Sequence, residues 1–457
     1  MQRTNQSRIL SQVSQWLPVF LMPLPFLYLV VQVNTYRVDV PFMDQWNFVS
    51  ILGKFYQGTL SIRDLWLQHN EHRLVFPQIV MLLLAEVSRW NISYELAFSL
   101  FLAVGILSIL VWQIRNTETR LQVRLRWLLP IVSVMVFSLA QGENWLWGFE
   151  LQVFMNVLAV VAGLVLLGQP AHRWAFFGAI LLGIIATYSF ANGVLYWFLG
   201  LFTLLLLAID DRRLRTSRLV LWAATAILTI GSYMYDYHTP GQHPSLLVAL
   251  QQPLLYLQYV LVYLGIPVTV GSSQCVAYGL ACDQVAAVAV AAGVSGLVLF
   301  GLIIAWLARR IPPTVLAPYI GIGLYGVLSA FLTGIGRVGF GIDQAMASRY
   351  VTISSLMWIA LVSMLFIGMT TRGADRPYAG YALTVFFVGF VLVNSIQWQT
   401  YFVWRRDFLL PVRAELTSLK NDNLLKHTFP SPDYVRAQTQ ILKKYHLSVF
   451  RDSHLQQ

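Results

Sequence analysis

Long apolar stretches alternate with short polar connectors along most of this chain. Hydrophobic runs occupy about 16–34, 94–114, 127–141, 150–169, 174–190, 193–209, 219–235, 285–308, 314–333, 350–370 and 378–398. A helix needs about 20 such residues to cross a bilayer. The pattern predicts an all-α, polytopic transmembrane helix bundle of about 11–13 membrane helices. Two further apolar stretches, 75–90 and 253–270, are expected to lie at the interface or to re-enter from it. Pro77 and the short apolar length of the first argue against a crossing.

Arginine placement sets the orientation. Arg115, Arg120, Arg124 and Arg126 form one cluster, and Arg212, Arg213, Arg215 and Arg218 another; Arg309-Arg310 and Arg372 with Arg376 mark two more connectors. The positive-inside rule places all of them in the cytoplasm together with the N-terminus. The domain reading is then a transmembrane unit over 1–398, whose first outer loop (34–93) carries interfacial helices, followed by a polar helical tail over 399–457. In the tail, helical patterns at Arg406–Leu425 and Asp433–Val449 flank the breaker Pro430-Ser431-Pro432.

Composition agrees. The chain is 57% hydrophobic and 11% charged, against about 25% charged residues in soluble domains. The net charge of +11 sits in short connectors, which points to topology signalling and anionic headgroups and away from nucleic acid. Arg3 and Arg8 precede the first apolar run without a small-residue cleavage site, so that span is expected to stay as an anchor. Cys275 and Cys282 are the two cysteines. They share one loop, as a disulfide or as two thiols, and exclude a cysteine-rich metal site.

With this topology the chemically interesting residues collect on the outer face. Asp44, in Pro-Phe-Met-Asp-Gln-Trp, is placed to deprotonate an acceptor hydroxyl or else to cap the helix beginning at Gln45. Asp39 is a weaker candidate. His69-Asn70-Glu71-His72-Arg73 packs two imidazoles, a carboxylate and a guanidinium together. On a helix His69 and His72 would share a face and, with Glu71 or Asp44, could ligate a divalent metal ion; equally, the run could bind phosphate through Arg73. Glu143 and Asn144 sit among tryptophans at a membrane edge. Thr333–Tyr350 surrounds Arg337 with four glycines and ends in Ser348-Arg349-Tyr350, a pattern suited to an anion site or to helix packing. Asp236 and His238 lie in another outer loop.

A first span, an aspartate just beyond it, an interfacial helix ended by Gly58 and a His-rich element leading into the Pro77 helix together resemble the GT-C superfamily of membrane glycosyltransferases. The likeness is to the protein mannosyltransferase and lipid A aminoarabinose transferase branch, over about residues 10–115. Those enzymes carry His/Lys-Pro-Pro where this chain reads His-Asn-Glu-His-Arg. The glycine-arginine segment and Trp-Gly-Phe-Glu-Leu-Gln also look like those of uncharacterised bacterial polytopic proteins. The resemblance implies a sugar moved from a polyprenyl-phosphate-linked donor to a glycan, lipid or protein acceptor, at a site facing the outside or periplasm of a bacterial plasma membrane. Asp44 and Glu71 would be catalytic. His69, His72, Arg73, Glu143, Asn144, Arg337, Arg349 and Tyr350 would bind substrate, with His69 and His72 as candidate metal ligands. The rival expectation is a transporter or flippase of a lipid-linked or anionic solute, using the same arginines.

Overall fold

The computed structural model describes residues 16–169, 173–207, 211–241, 243–269, 282–371 and 399–451. The described residues form an all-α bundle, with a single isolated β-bridge and no named strand. Among the described residues seven helices are long and apolar enough to cross a membrane: Trp16–Tyr36, Ile92–Leu121, Gly148–Leu167, Arg212–Met234, Cys282–Leu307, Pro313–Phe340 and Ser348–Thr370. Large apolar side chains such as Phe101, Ile227, Leu228 and Leu302 stand exposed on these helices. In water that would be an aggregation surface; around a multi-pass membrane protein it faces lipid.

In chain order the helices are α1 (Trp16–Tyr36), α2 (Gln45–Tyr56), α3 (Ile62–Trp66), α4 (Val75–Ser88), α5 (Ile92–Leu121), α6 (Leu128–Val136), α7 (Gly142–Leu146) and α8 (Leu151–Leu167). They continue as α9 (Arg173–Thr187), α10 (Leu195–Leu206), α11 (Arg212–Met234), α12 (Pro253–Gly265), α13 (Cys282–Leu307), α14 (Pro313–Arg337) and α15 (Val351–Thr370). The tail adds α16 (399–418), α17 (Asp422–Lys426) and α18 (Pro432–Lys444). The predicted span 378–398 and Cys275, and with it the choice between a disulfide to Cys282 and two thiols, lie outside the described residues.

The bundle has two distinct ends. At one, Arg120 donates to Gln169 Oε1 (2.7 Å) and to the Thr314 carbonyl, joining the ends of α5 and α8 to the start of α14. At the other lie the first loop, the starts of α5 and α8, and the ends of α11 and α14. Helix α4 does not cross between them. Its 14 residues extend about 21 Å at 1.5 Å each, short of a hydrocarbon core of about 30 Å. Both its ends also belong to the polar face: it follows the His69–Arg73 turn, and it hands over to α5 through Arg89 and Trp90, both left-handed (φ 53° and 52°). The start of α5 is fixed by Asp39, whose Oδ1 accepts from Ile92 N at 3.0 Å.

Two expectations change in detail. The 127–141 run is not one helix: α6 stops at Val136, and a 3-10 turn at Leu139–Gln141 leads into the short α7. The Arg406–Leu425 pattern breaks at Leu419, which is left-handed (φ 56°). There Glu415 Oε1 accepts from Asn421 N, and Asn421 caps α17.

The tail folds back onto the first loop. Val412, Leu416, Leu425, Val435, Leu442 and Leu447 share an apolar core with Val40, Trp46, Val49, Leu52, Leu74 and Met81, separate from the core of the main bundle. Each such buried side chain contributes roughly 1.5–3 kcal/mol, so loop and tail stabilise one another. Arg451 pairs with the buried Asp39 and clamps the end of the tail to the start of the loop.

Candidate functional site

The polar segments singled out in the sequence converge. His72 reaches Ala191 and Phe190, Arg73 the end of α11, Glu71 Arg337, and Glu143 Arg349. The bundle thus builds one polar surface through contacts that join residues as far as 266 positions apart.

Its first edge is a tight turn, not the helix that the His-x-x-His spacing suggests. His69 N donates to His72 O and His72 N to His69 O, both at 2.8 Å. Asn70 between them is left-handed (φ 49°), a conformation that Asn tolerates better than most residues. Asp44 stands beside this turn. It occupies the N-cap position of α2, yet its carboxylate makes no capping bond; Oδ1 faces His69 Nε2 at 3.5 Å. Burial pushes its carboxyl up, but the His69 hydrogen bond and the charges of His69, His72 and Arg349 outweigh it and hold Asp44 below the usual range. Asp44 is therefore ionised at neutral pH.

Glu71 lies at the centre of a second group. Its Oε1 accepts from Arg337 Nε at 3.1 Å and from Nη2, and its Oε2 faces His243 Nε2 at 3.7 Å. Burial opposes its ionisation, but the charges of His72 and Arg337 and the Arg337 hydrogen bond bring it down to about 2. His72 is itself pushed down to about 4, chiefly by burial. It is neutral near pH 7, so Arg337 is the charge that keeps Glu71 ionised there. His72 stacks on Phe190 (ring centroids 4.3 Å apart), and its Nδ1 accepts from Ala191 N at 3.1 Å, which fixes the neutral tautomer.

The third group centres on Glu143, whose Oε1 meets Arg349 Nη1 at 3.3 Å. Its Oε2 accepts from Ser348 Oγ and Arg349 N, both at 3.0 Å. Asn144 is fully buried and donates to Arg349 O and Thr352 Oγ1, so it positions the start of α15. Tyr350 is buried against Tyr263, with Arg349 over its ring at 5.4 Å. The glycines near Arg337 do not form an amide nest: Gly334 and Gly336 lie within α14, and among the glycines of this segment only Gly341 (φ 99°) takes a positive φ.

Other candidates are occupied structurally. Arg73 donates to the carbonyls of Trp66 (2.8 Å), Tyr233 (2.7 Å) and Tyr235, which ties the turn to the end of α11. Asp39 caps α5. Asp236 and His238 form an exposed pair at 3.6 Å. Among the described residues no group of three or more His, Cys, Asp and Glu is arranged to hold a metal ion; of the two candidate ligands, His72 has one ring nitrogen engaged by backbone.

Two site residues were missed by sequence reasoning. His243 carries no motif, and only the fold brings it to Glu71. Glu150 follows the Trp-rich segment and is 4% exposed. Asp44, Glu143, Arg337 and Arg349 all act on it electrostatically, but no described residue bonds to its carboxylate. An apolar cavity of about 370 Å³, lined by Trp306, Trp358, Leu361 and Phe366 among others, lies in the half of the bundle nearer Arg309-Arg310 and is not part of this surface. Comparison of the chain with family models, curated proteins and solved structures finds no match. What these observations establish is a multi-pass, all-α membrane protein with a single convergent polar surface at one end of its bundle.

Proposed function

We propose that this surface is the active site of a membrane glycosyltransferase on the outer face of a bacterial plasma membrane. The enzyme would move a sugar from a polyprenyl-phosphate-linked donor to a glycan, lipid or protein acceptor. The observation that carries the reading is Asp44: an ionised carboxylate at a helix start that forgoes its capping bond and sits on one surface with Arg349 and Arg337. An acceptor hydroxyl attacks the anomeric carbon of the sugar and its proton passes to Asp44. The bond from that carbon to the phosphate oxygen breaks, and the electron pair leaves on the phosphate. Arg349 and Arg337 offset the charge that develops there, the position where fixed cations lower a barrier most. His69, within 3.5 Å of Asp44, orients the carboxylate. Glu71, already paired with Arg337, holds that arginine in place and has no direct part in the proton transfer.

General bases contribute about 10²–10⁴ in rate. Asp44→Asn should lower sugar transfer from labelled polyprenyl-phosphate donors by at least a hundredfold in membranes that carry the chain. Full activity of that variant would remove Asp44 as the base. Passage of the intact donor across sealed vesicles with no new glycosidic bond would favour a carrier instead.

A further inference from the structure

The buried and half-buried arginines around the polar surface have matched partners among the described residues, with one exception. Arg337 faces Glu71, Arg349 faces Glu143, Arg451 faces Asp39, and Arg73 is held by carbonyls. The exception is Arg405 of the tail helix α16. It is 4% exposed, yet no described residue accepts a hydrogen bond from it or forms an ion pair with it, and its Nε is buried without a partner. Its guanidinium lies 3.6 Å from the centroid of the Phe42 ring, two residues before Asp44. The position is fixed from the other side as well. Tyr401, one turn earlier on the same helix face, packs so closely on Gly142 that a Cβ there would lie 2.5 Å from its ring.

A buried cation with no counter-charge is costly, and a face-on aromatic ring offsets only part of that cost. The carboxylate that acts on Arg405 electrostatically is Glu143, but both its oxygens are already engaged by Ser348 and Arg349. Glu150 is buried as well, no described residue bonds to its carboxyl group, and Tyr401 feels both Arg405 and Glu150. An unpaired cation and an unbonded carboxyl group around the same residues suit a ligand with an anionic end and hydroxyl donors.

We propose that Arg405 is a phosphate-binding residue of this site. It is delivered by the C-terminal helix and grips the phosphoryl oxygens of a polyisoprenyl phosphate through its planar fork. Glu150 accepts from a hydroxyl of the attached sugar. This rests on the lipid-phosphate reading given above and adds to it the residue that is electrostatically vacant for the phosphate. The tail is thereby part of the site.

The test is ligand binding to the purified full chain in detergent, with farnesyl phosphate, farnesol and inorganic phosphate as probes. The expected result is binding of farnesyl phosphate and not of farnesol, weakened at least tenfold by Arg405→Gln and less by Arg405→Lys. Equal affinity of wild type and Arg405→Gln overturns the proposal. Should the glutamine variant fail to fold, Arg405→Lys decides in its place, and affinity equal to wild type overturns it. Inorganic phosphate binding as tightly as farnesyl phosphate overturns the lipid assignment. The Asp44→Asn variant separates this proposal from the assignment of the base. If that variant keeps transfer activity while Arg405→Gln loses binding, the base assignment falls and the phosphate subsite stands.

Discussion

Replacing Glu71 by Gln should destabilise the polar surface by about 3 kcal/mol near pH 7. Each tenfold change in proton affinity is worth about 1.4 kcal/mol, and Glu71 sits at about 2 where a free glutamate sits at 4.5. The pair is mostly buried, with side-chain exposures of 21% for Arg337 and 20% for Glu71, so solvent screening does not erase the difference. An independent estimate agrees: breaking a buried ion pair by removing one partner costs roughly 3–5 kcal/mol, since the other charge is left unmatched. Because the folded-state carboxyl is depressed, its contribution is complete above pH 4.5 and is lost as pH falls through about 2. The assay is a double-mutant cycle of Glu71→Gln and Arg337→Met, read by reversible SDS unfolding in mixed micelles. The double variant should recover at least about 2 kcal/mol relative to the sum of the single losses. A coupling below about 0.5 kcal/mol, the value of an exposed pair, would refute the claim that Arg337 is held by Glu71.

His72 makes a prediction of opposite chemistry in an overlapping window. Its imidazole is depressed to about 4 from 6.5, so the native turn is favoured above pH 6.5 and loses stability as pH falls toward 4. Amide exchange over 69–73, corrected for intrinsic rate, should lose protection across that interval; protection that stays constant would contradict a buried, neutral His72. Gly142 is required by the approach of Tyr401, and Gly142→Val should cost about 1–3 kcal/mol through overpacking. It should also speed proteolytic clipping of the 399–451 tail, and unchanged clipping would show that α16 is not seated there.

How far the residues alone could be read differs from one feature to the next. The apolar runs and arginine clusters sufficed for an all-α multi-pass bundle, since hydrophobic length and the bilayer's thickness are one-dimensional constraints. They also sufficed to gather Asp44, Glu71, Glu143, Arg337 and Arg349 on one end, because side of membrane follows from parity. Pairings were not legible. That Arg337 answers Glu71 and Arg349 answers Glu143, that Arg73 is taken up by carbonyls, that His243 reaches Glu71 and that Arg405 lies over Phe42 all depend on which helices pack together. His-x-x-His misled because a period fits a helix only where the backbone is helical, and Asn70 turned it into a hairpin instead. The sequence therefore determined the class of molecule and which polar residues share one end of it. Tertiary structure decided which charges neutralise one another and which stay unpaired, because a buried charge is defined by its neighbours in space and not by those in the chain.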